Sequence, residues 1–398
     1  MSGDVTRVDG TTQLLMREIG RVIDFTLALP GVDGRVALLG HSMASDIIVR
    51  KAIADSRVAA TVAVSMFSEA VTASEPPNFL IITGEWEHDL RQEAQRNMRL
   101  AEPTAREGMT VGSPSGSTGR RAVVAPDIEH VGVLYSATAL REVRAWLDAV
   151  FDRTSNGPVA ATGGPIVLLL MGIVILAWPL SGLLPRGETA PPKLSLKNFL
   201  MAFVIPAVLT PVVLTFVETH FLPVLVADYL AAHLFVYGVL SLCVLMWCGI
   251  GVGSVAWVSA IALAGYGILV FGGVLDRYVA SFWPIESRLP IIAAIAVGAL
   301  PHMLGDSAVT EGGRARLWRV FAARGAFIAS LGAAVAFDPE RLFFLLIIIP
   351  VIVLFFTIFG LIGGWVGRRT GSPSAVGIAL GVLLAWAIGV SFPMFAPE

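Results

Sequence analysis

The run "PIVLLLMGIVILAWPLSGLL" (Pro165–Leu184) holds twenty residues and no charge. As an α-helix it would rise about 30 Å, the thickness of a bilayer's hydrocarbon core. Similar runs follow at Phe199–Val217, Leu230–Trp247, Val252–Leu275, Leu289–Leu304, Leu317–Phe337, Leu342–Trp365 and Ala375–Phe392, which gives eight expected spans. Only closed barrels and helices satisfy their backbone groups in lipid, and runs this long and continuous read as helices. Residues 165–398 are therefore expected to form an all-α polytopic transmembrane bundle.

The chain changes character before that point. It is 55% hydrophobic and 15% charged overall, with a net charge of −2. Most of the charge lies in the first 160 or so residues, so a water-exposed domain (1–153) and a small-residue linker (154–164) precede the membrane region. No Lys/Arg tract argues for nucleic acid. Cys243 and Cys248 both fall in an apolar run, which leaves no disulfide framework and no cysteine-based metal site. His and carboxylate residues do not recur at metal-ligand spacing, and no Gly-rich phosphate loop is present, so no cofactor is implied.

Within the first region, Gly10–Leu29 has apolar residues at spacings of three and four and reads as a helix stopped by "PGVDG". "RVALLG" (Arg35–Gly40) reads as a buried strand and "MASDIIVRKAIAD" as the helix after it. Val58–Phe67, Asn78–Gly84 and Arg121–Pro126 read as three further strands, and "SATALREVRAWLDAVF" as a closing amphipathic helix. Strands alternating with helices predict a parallel sheet covered on both faces. "GMTVGSPSGSTGRR" between them is Gly/Ser-rich and reads as a loop.

Ser42 falls at the junction of the first strand with its helix. A serine there is commonly just a helix N-cap. A nucleophile on a tight strand-to-helix turn instead needs small neighbours two residues away on either side, and Gly40-His41-Ser42-Met43-Ala44 supplies them, with Ala44 in place of the second glycine of G-x-S-x-G. Acids follow a later strand in "LIITGEWEHDL", and His130 follows the next in "VVAPDIEHVGVLYS". Serine, acid and histidine in this order at strand ends resemble the α/β-hydrolase family over roughly Asp9–Phe151. The resemblance implies Ser42 as nucleophile, His130 as general base and Glu87 as the orienting acid, with Asp89 as the alternative acid. It also implies the Met43 backbone N–H as an oxyanion donor. Asp127 and Glu129 sit too near His130 for the acid role and read as surface charges, and His41 and His88 as structural or exposed.

In that family a second oxyanion donor comes from a loop upstream of the elbow, together with about half the sheet, and this sequence places only one helix before its elbow strand. "MSGDVTRVDGTTQLL" resembles a mid-domain segment, so the fold is expected to be a partial α/β-hydrolase sheet lacking its N-terminal strands. The implied function is a membrane-anchored serine hydrolase cleaving an ester or related acyl bond, with a small-molecule or lipid-like acyl substrate. The alternative is a polytopic transporter or sensor whose hydrolase-like domain is inactive.

With eight spans, the loops on the side opposite the first domain hold Arg186, Lys193, Lys197, Arg314, Arg316, Arg319, Arg368 and Arg369, against Arg277, Arg288 and Arg341 on its own side. Positive loops stay cytoplasmic, which predicts a bacterial inner-membrane protein with the hydrolase region facing the periplasm or exterior. Asp228, His233, His302, Asp306 and Arg324 are candidates for an ion or proton path, but most are expected near span ends, within reach of headgroups and water.

Overall fold

In the computed structural model, residues 7–187, 192–222 and 226–391 are described, with side chains from residue 12 onward. The Phe392 end of the last expected span lies outside them, as do the first six residues. The chain divides into two compact units between Val167 and Leu168.

The first unit is built on a five-stranded sheet of order β1-β2-β3-β5-β4. Its elements are α1 (Arg7–Leu27), β1 (Val36–His41), α2 (Met43–Ala54), β2 (Val58–Val64), β3 (Phe79–Gly84), α3 (His88–Ala101), β4 (Thr110–Val111), β5 (Arg120–Ala125) and α4 (Ala137–Phe151). β1, β2, β3 and β5 are parallel, as the alternation with helices predicts. β4 corrects the expectation in two ways. It lies in the segment read as a loop, and it pairs antiparallel with β5, which makes the sheet mixed. Two residues are enough because Thr110 and Val111 only close the edge beyond Arg121 and Arg120.

Side-chain alternation sends the two sets of sheet residues to opposite faces. Val62, Val64, Leu80, Ile82 and Val123 pack under Ala139, Trp146 and Val150 of α4. Ala63, Phe79, Ile81 and Ala122 pack against Val49 of α2 and Ala94 and Met98 of α3. Every residue of β3 is buried, which is why its sequence is a continuous apolar run with no polar alternation. β1 is the edge strand and pairs only with β2 among the described residues, and its Leu39 is 54% exposed.

The start of β2 is fixed electrostatically. Asp55, just past α2, accepts from Arg57 Nε at 2.8 Å and Nη2 at 2.7 Å and pairs with Lys51 at 2.9 Å. The Arg57 guanidinium, and Lys51 after it, hold the Asp55 carboxyl well below the ordinary carboxylate range against the opposing cost of burial. Arg57 also reaches Asp24 of α1 at 2.7 Å. α1 is thereby held beside the elbow helix, with Ile23 packed on Ala52 and Val58.

The second unit is helical. Together with Gly163–Ser181 (α5), which begins just before it, the described residues hold eight helices long and apolar enough to cross a membrane. The others are α6 (Leu196–Leu214), α7 (Ala227–Trp247), α8 (Trp257–Tyr278, with a π-helical turn at Tyr266–Phe271), α9 (Leu289–Val309), α10 (Leu317–Phe337), α11 (Leu345–Thr370) and α12 (Pro373–Ser391). The protein is an integral membrane protein. Small residues let the helices approach: a Cβ on Gly298 of α9 would stand 2.2 Å from the Ala231 carbonyl oxygen of α7.

Asp228 and Asp306 lie in the end turns of their helices, as expected, and several of the polar candidates make contacts inside this bundle. Arg324 of α10 makes two bonds to the Asp306 carboxylate of α9, at 3.2 and 2.9 Å, and a third to the Phe356 carbonyl of α11 at 3.0 Å. His233 shares a 3.1 Å hydrogen bond with Ser330. His302 is fully buried, and neither ring nitrogen has a partner among the described residues. Asp228, at the start of α7, is also buried and accepts from the Tyr229 N–H.

Candidate active site

β1 ends at His41 and α2 begins at Met43, so Ser42 alone makes the turn. Its backbone sits at φ 54°, ψ −125°, a conformation that costs a non-glycine residue on the order of 1–3 kcal/mol. The Ser42 N–H donates to the Val64 carbonyl at 2.9 Å, tying the turn to β2. The Ser42 side chain makes no capping bond to α2, so the N-cap reading does not describe it. A small residue is required at position 40, because a Cβ there would meet the Ala44 carbonyl oxygen and the Ile48 side chain.

The side-chain oxygen is turned toward His130. Ser42 Oγ lies 2.9 Å from His130 Nε2, and His130 Nδ1 lies 2.5 Å from Glu87 Oε1. An ionised carboxylate can only accept, so Nδ1 carries the hydrogen and Nε2 is left to accept from the Ser42 hydroxyl. Glu87 is buried, and its other oxygen accepts from the Gly84 N–H at 2.5 Å and from Ser65 Oγ at 2.7 Å. The carboxylate is thus held by three donors on two strand ends and one loop. Asp89 and His88 are exposed in the first turn of α3 and contribute nothing to this chain of bonds.

Two loops set the distance between Glu87 and His130. After β3, the Glu85 and Trp86 N–H groups donate to the carbonyls of Ala125, the last residue of β5, and of Ile128 in the loop after it. In return the Asp127 N–H donates to Glu85 Oε2 at 2.9 Å. Gly84 permits this approach, since a Cβ there would stand 2.6 Å from the Ile128 carbonyl oxygen. Glu129, read as a surface charge, accepts from the Val131 and Gly132 N–H groups at 2.7 Å each and so folds the turn that follows His130. His41 Nε2 donates to the His130 carbonyl at 2.7 Å, a structural role consistent with its reading.

Ser65 belongs to no motif in the sequence. It follows β2 in "VAVSMF" with φ 51°, and its role depends on β2 lying beside β3. The only signal available was a polar residue directly after an apolar strand, which is too common to be diagnostic.

Comparison with known protein families, curated proteins and solved structures returned no match. Chemical interpretation of the site therefore rests on its geometry.

Ser42, Glu87 and His130 all sit at the carboxyl ends of parallel strands, where open α/β sheets present their ligand sites. Around them are exposed apolar side chains: Met43 is 58%, Phe67 57%, Trp86 61% and Val131 57% accessible. As the first residue of α2, Met43 has a backbone N–H without an intrahelical acceptor. Among the described residues, no group of three or more His, Cys, Asp or Glu side chains is arranged to hold a metal ion.

Proposed function

We propose that this protein is an integral membrane serine hydrolase of the α/β-hydrolase type, cleaving an ester or related acyl bond. The observation that carries this reading is the continuous chain Ser42 Oγ, His130 and Glu87, at 2.9 and 2.5 Å, beginning on a strained strand-to-helix turn.

Ser42 Oγ attacks the acyl carbonyl carbon while its proton passes to His130 Nε2. The carbonyl π electrons move onto oxygen, and the Met43 N–H donates to that oxyanion. Glu87 keeps His130 in the tautomer that can accept and then stabilises the imidazolium. Collapse of the adduct breaks the bond to the leaving group, which departs with the proton from Nε2, and leaves an acyl-serine. Water attacks the acyl-serine, giving its proton to Nε2, and Ser42 leaves as the hydroxyl with that proton. The Met43, Phe67, Trp86 and Val131 side chains favour an apolar acyl group beside the nucleophile.

The reading includes a bacterial inner-membrane location, and the loop lysines and arginines favour placing this unit on the periplasmic or exterior side. Turnover of p-nitrophenyl esters of increasing chain length by the purified full chain tests the activity. Hydrolysis that rises with chain length and is lost in Ser42→Ala agrees with the reading. Hydrolysis unchanged in Ser42→Ala contradicts it.

A further inference from the structure

Within the second unit a cavity of about 510 Å³ runs between α10 and α11, closed at the back by the end of α9 and by α12. That volume lies in the range of small-ligand sites, roughly 300–1,000 Å³. Along α11 its lining extends from Val353 to Arg368, a rise of about 22 Å. Along α10 it runs the opposite way, from Ile328 to Leu317.

The cavity is not sealed on its outer side. Leu317 and Phe321 on its wall are 75% and 74% accessible, so it opens laterally where a membrane-spanning helix pair faces lipid. Its walls are mostly apolar, which suits a hydrocarbon chain.

Arg324 also lines the cavity part-way along α10, but Asp306 matches its charge at 2.9 Å, and the charge without a carboxylate partner lies at one end. Arg368 lines that end and donates to the Gly313 carbonyl at 2.6 Å, while Arg314 beside it donates to the Arg368 carbonyl at 2.8 Å. Neither forms an ion pair among the described residues. The carboxylates at this end of α9 are committed elsewhere, Asp306 to Arg324 at 2.9 Å and Glu311 to Arg319 at 3.4 Å. An exposed guanidinium that keeps donors free at the mouth of an apolar channel is complementary to an anion carrying an apolar tail.

We infer that this groove is a binding site for a single-chain anionic amphiphile, of the class of long-chain carboxylates, with its head on Arg368 and its tail running toward Val353 and Ile328. One channel flanked by two helices admits one chain. Its length and direction match a lipid tail descending from the membrane surface into a bilayer core about 30 Å thick. The site and its occupant are independent of what the first unit hydrolyses.

The test is photolabelling of the full chain in phosphatidylcholine nanodiscs with a diazirine-bearing palmitic acid, followed by peptide mapping. Labels should concentrate on α10 and α11 around Phe321 and Val353, and palmitate should compete where hexadecanol does not. Arg368→Gln should reduce labelling about tenfold or more, and Arg368→Lys should retain most of it. A Cβ at Gly325 on the cavity wall meets nothing within 4 Å, so Gly325→Leu can grow into the space without a backbone clash and should abolish labelling. Labels spread evenly over all lipid-facing helices, equal competition by hexadecanol, or undiminished labelling of Gly325→Leu would overturn the site. Displacement by phosphatidylglycerol at lower concentration than by palmitate would overturn the single-chain assignment.

Discussion

A Cβ placed on Gly40 would stand 2.8 Å from the Ala44 carbonyl oxygen, closer than carbon and oxygen approach in folded proteins. The strand entering the elbow and the helix leaving it are therefore packed backbone to backbone around Ser42. Gly40→Val should force α2 away from β1, costing about 1–3 kcal/mol as overpacking does. Esterase turnover should fall with it even where the protein still folds. Turnover and melting at the parent level would mean that the elbow tolerates a side chain there.

The acid can be assigned by paired substitutions. Glu87→Gln keeps the shape but no longer favours the imidazolium, and should lower kcat on the order of a thousandfold. Asp89→Asn, altering an exposed residue of α3, should leave turnover essentially unchanged. Ser65→Ala should produce a smaller loss, in kcat more than KM, because Ser65 only positions the carboxylate. Greater damage from Asp89→Asn would transfer the acid role to that residue.

Stability should depend on acid through Asp55. Its folded carboxyl titrates below the ordinary value near 4, chiefly because Arg57 bonds it, so the ionised form contributes stability above that value. The contribution is lost as the pH falls below about 4, where the unfolded carboxyl takes up a proton more readily than the folded one. Thermal unfolding of the first unit within the full chain should show this loss. Asp55→Asn should melt lower near neutrality and show a weaker acid dependence. A variant that tracks the parent at every pH would dismiss the Asp55 pairs as stabilising contacts.

Membrane orientation is checked by reporter fusions. With eight spans and the arginine-rich loops inside, a periplasmic phosphatase fused behind α12 should be active, and a fluorophore that matures only in the cytoplasm should stay dark. The reverse pattern would indicate an inverted insertion.

Much of this was legible because short-range constraints dominate it. The spans announce themselves through twenty-residue apolar runs, and Ser42 through small residues at Gly40 and Ala44. Glu87 was readable as an acid just past a strand end. Side chains whose role depends on what lies alongside were not. Ser65 finds Glu87 only because β2 lies beside β3, and Thr110–Val111 becomes a strand only because β5 offers it an edge. The Asp306–Arg324 pair is likewise set by which faces α9 and α10 turn inward.

A fluorophosphonate probe captures only an activated serine, and so reads most directly whether His130 activates Ser42 for attack. The full chain should be labelled, with the adduct mapped to Ser42 by peptide mass. Labelling should disappear in Ser42→Ala and fall by orders of magnitude in His130→Ala. A folded parent protein that takes no label at Ser42, or a His130→Ala variant labelled as fast as the parent, would contradict the account.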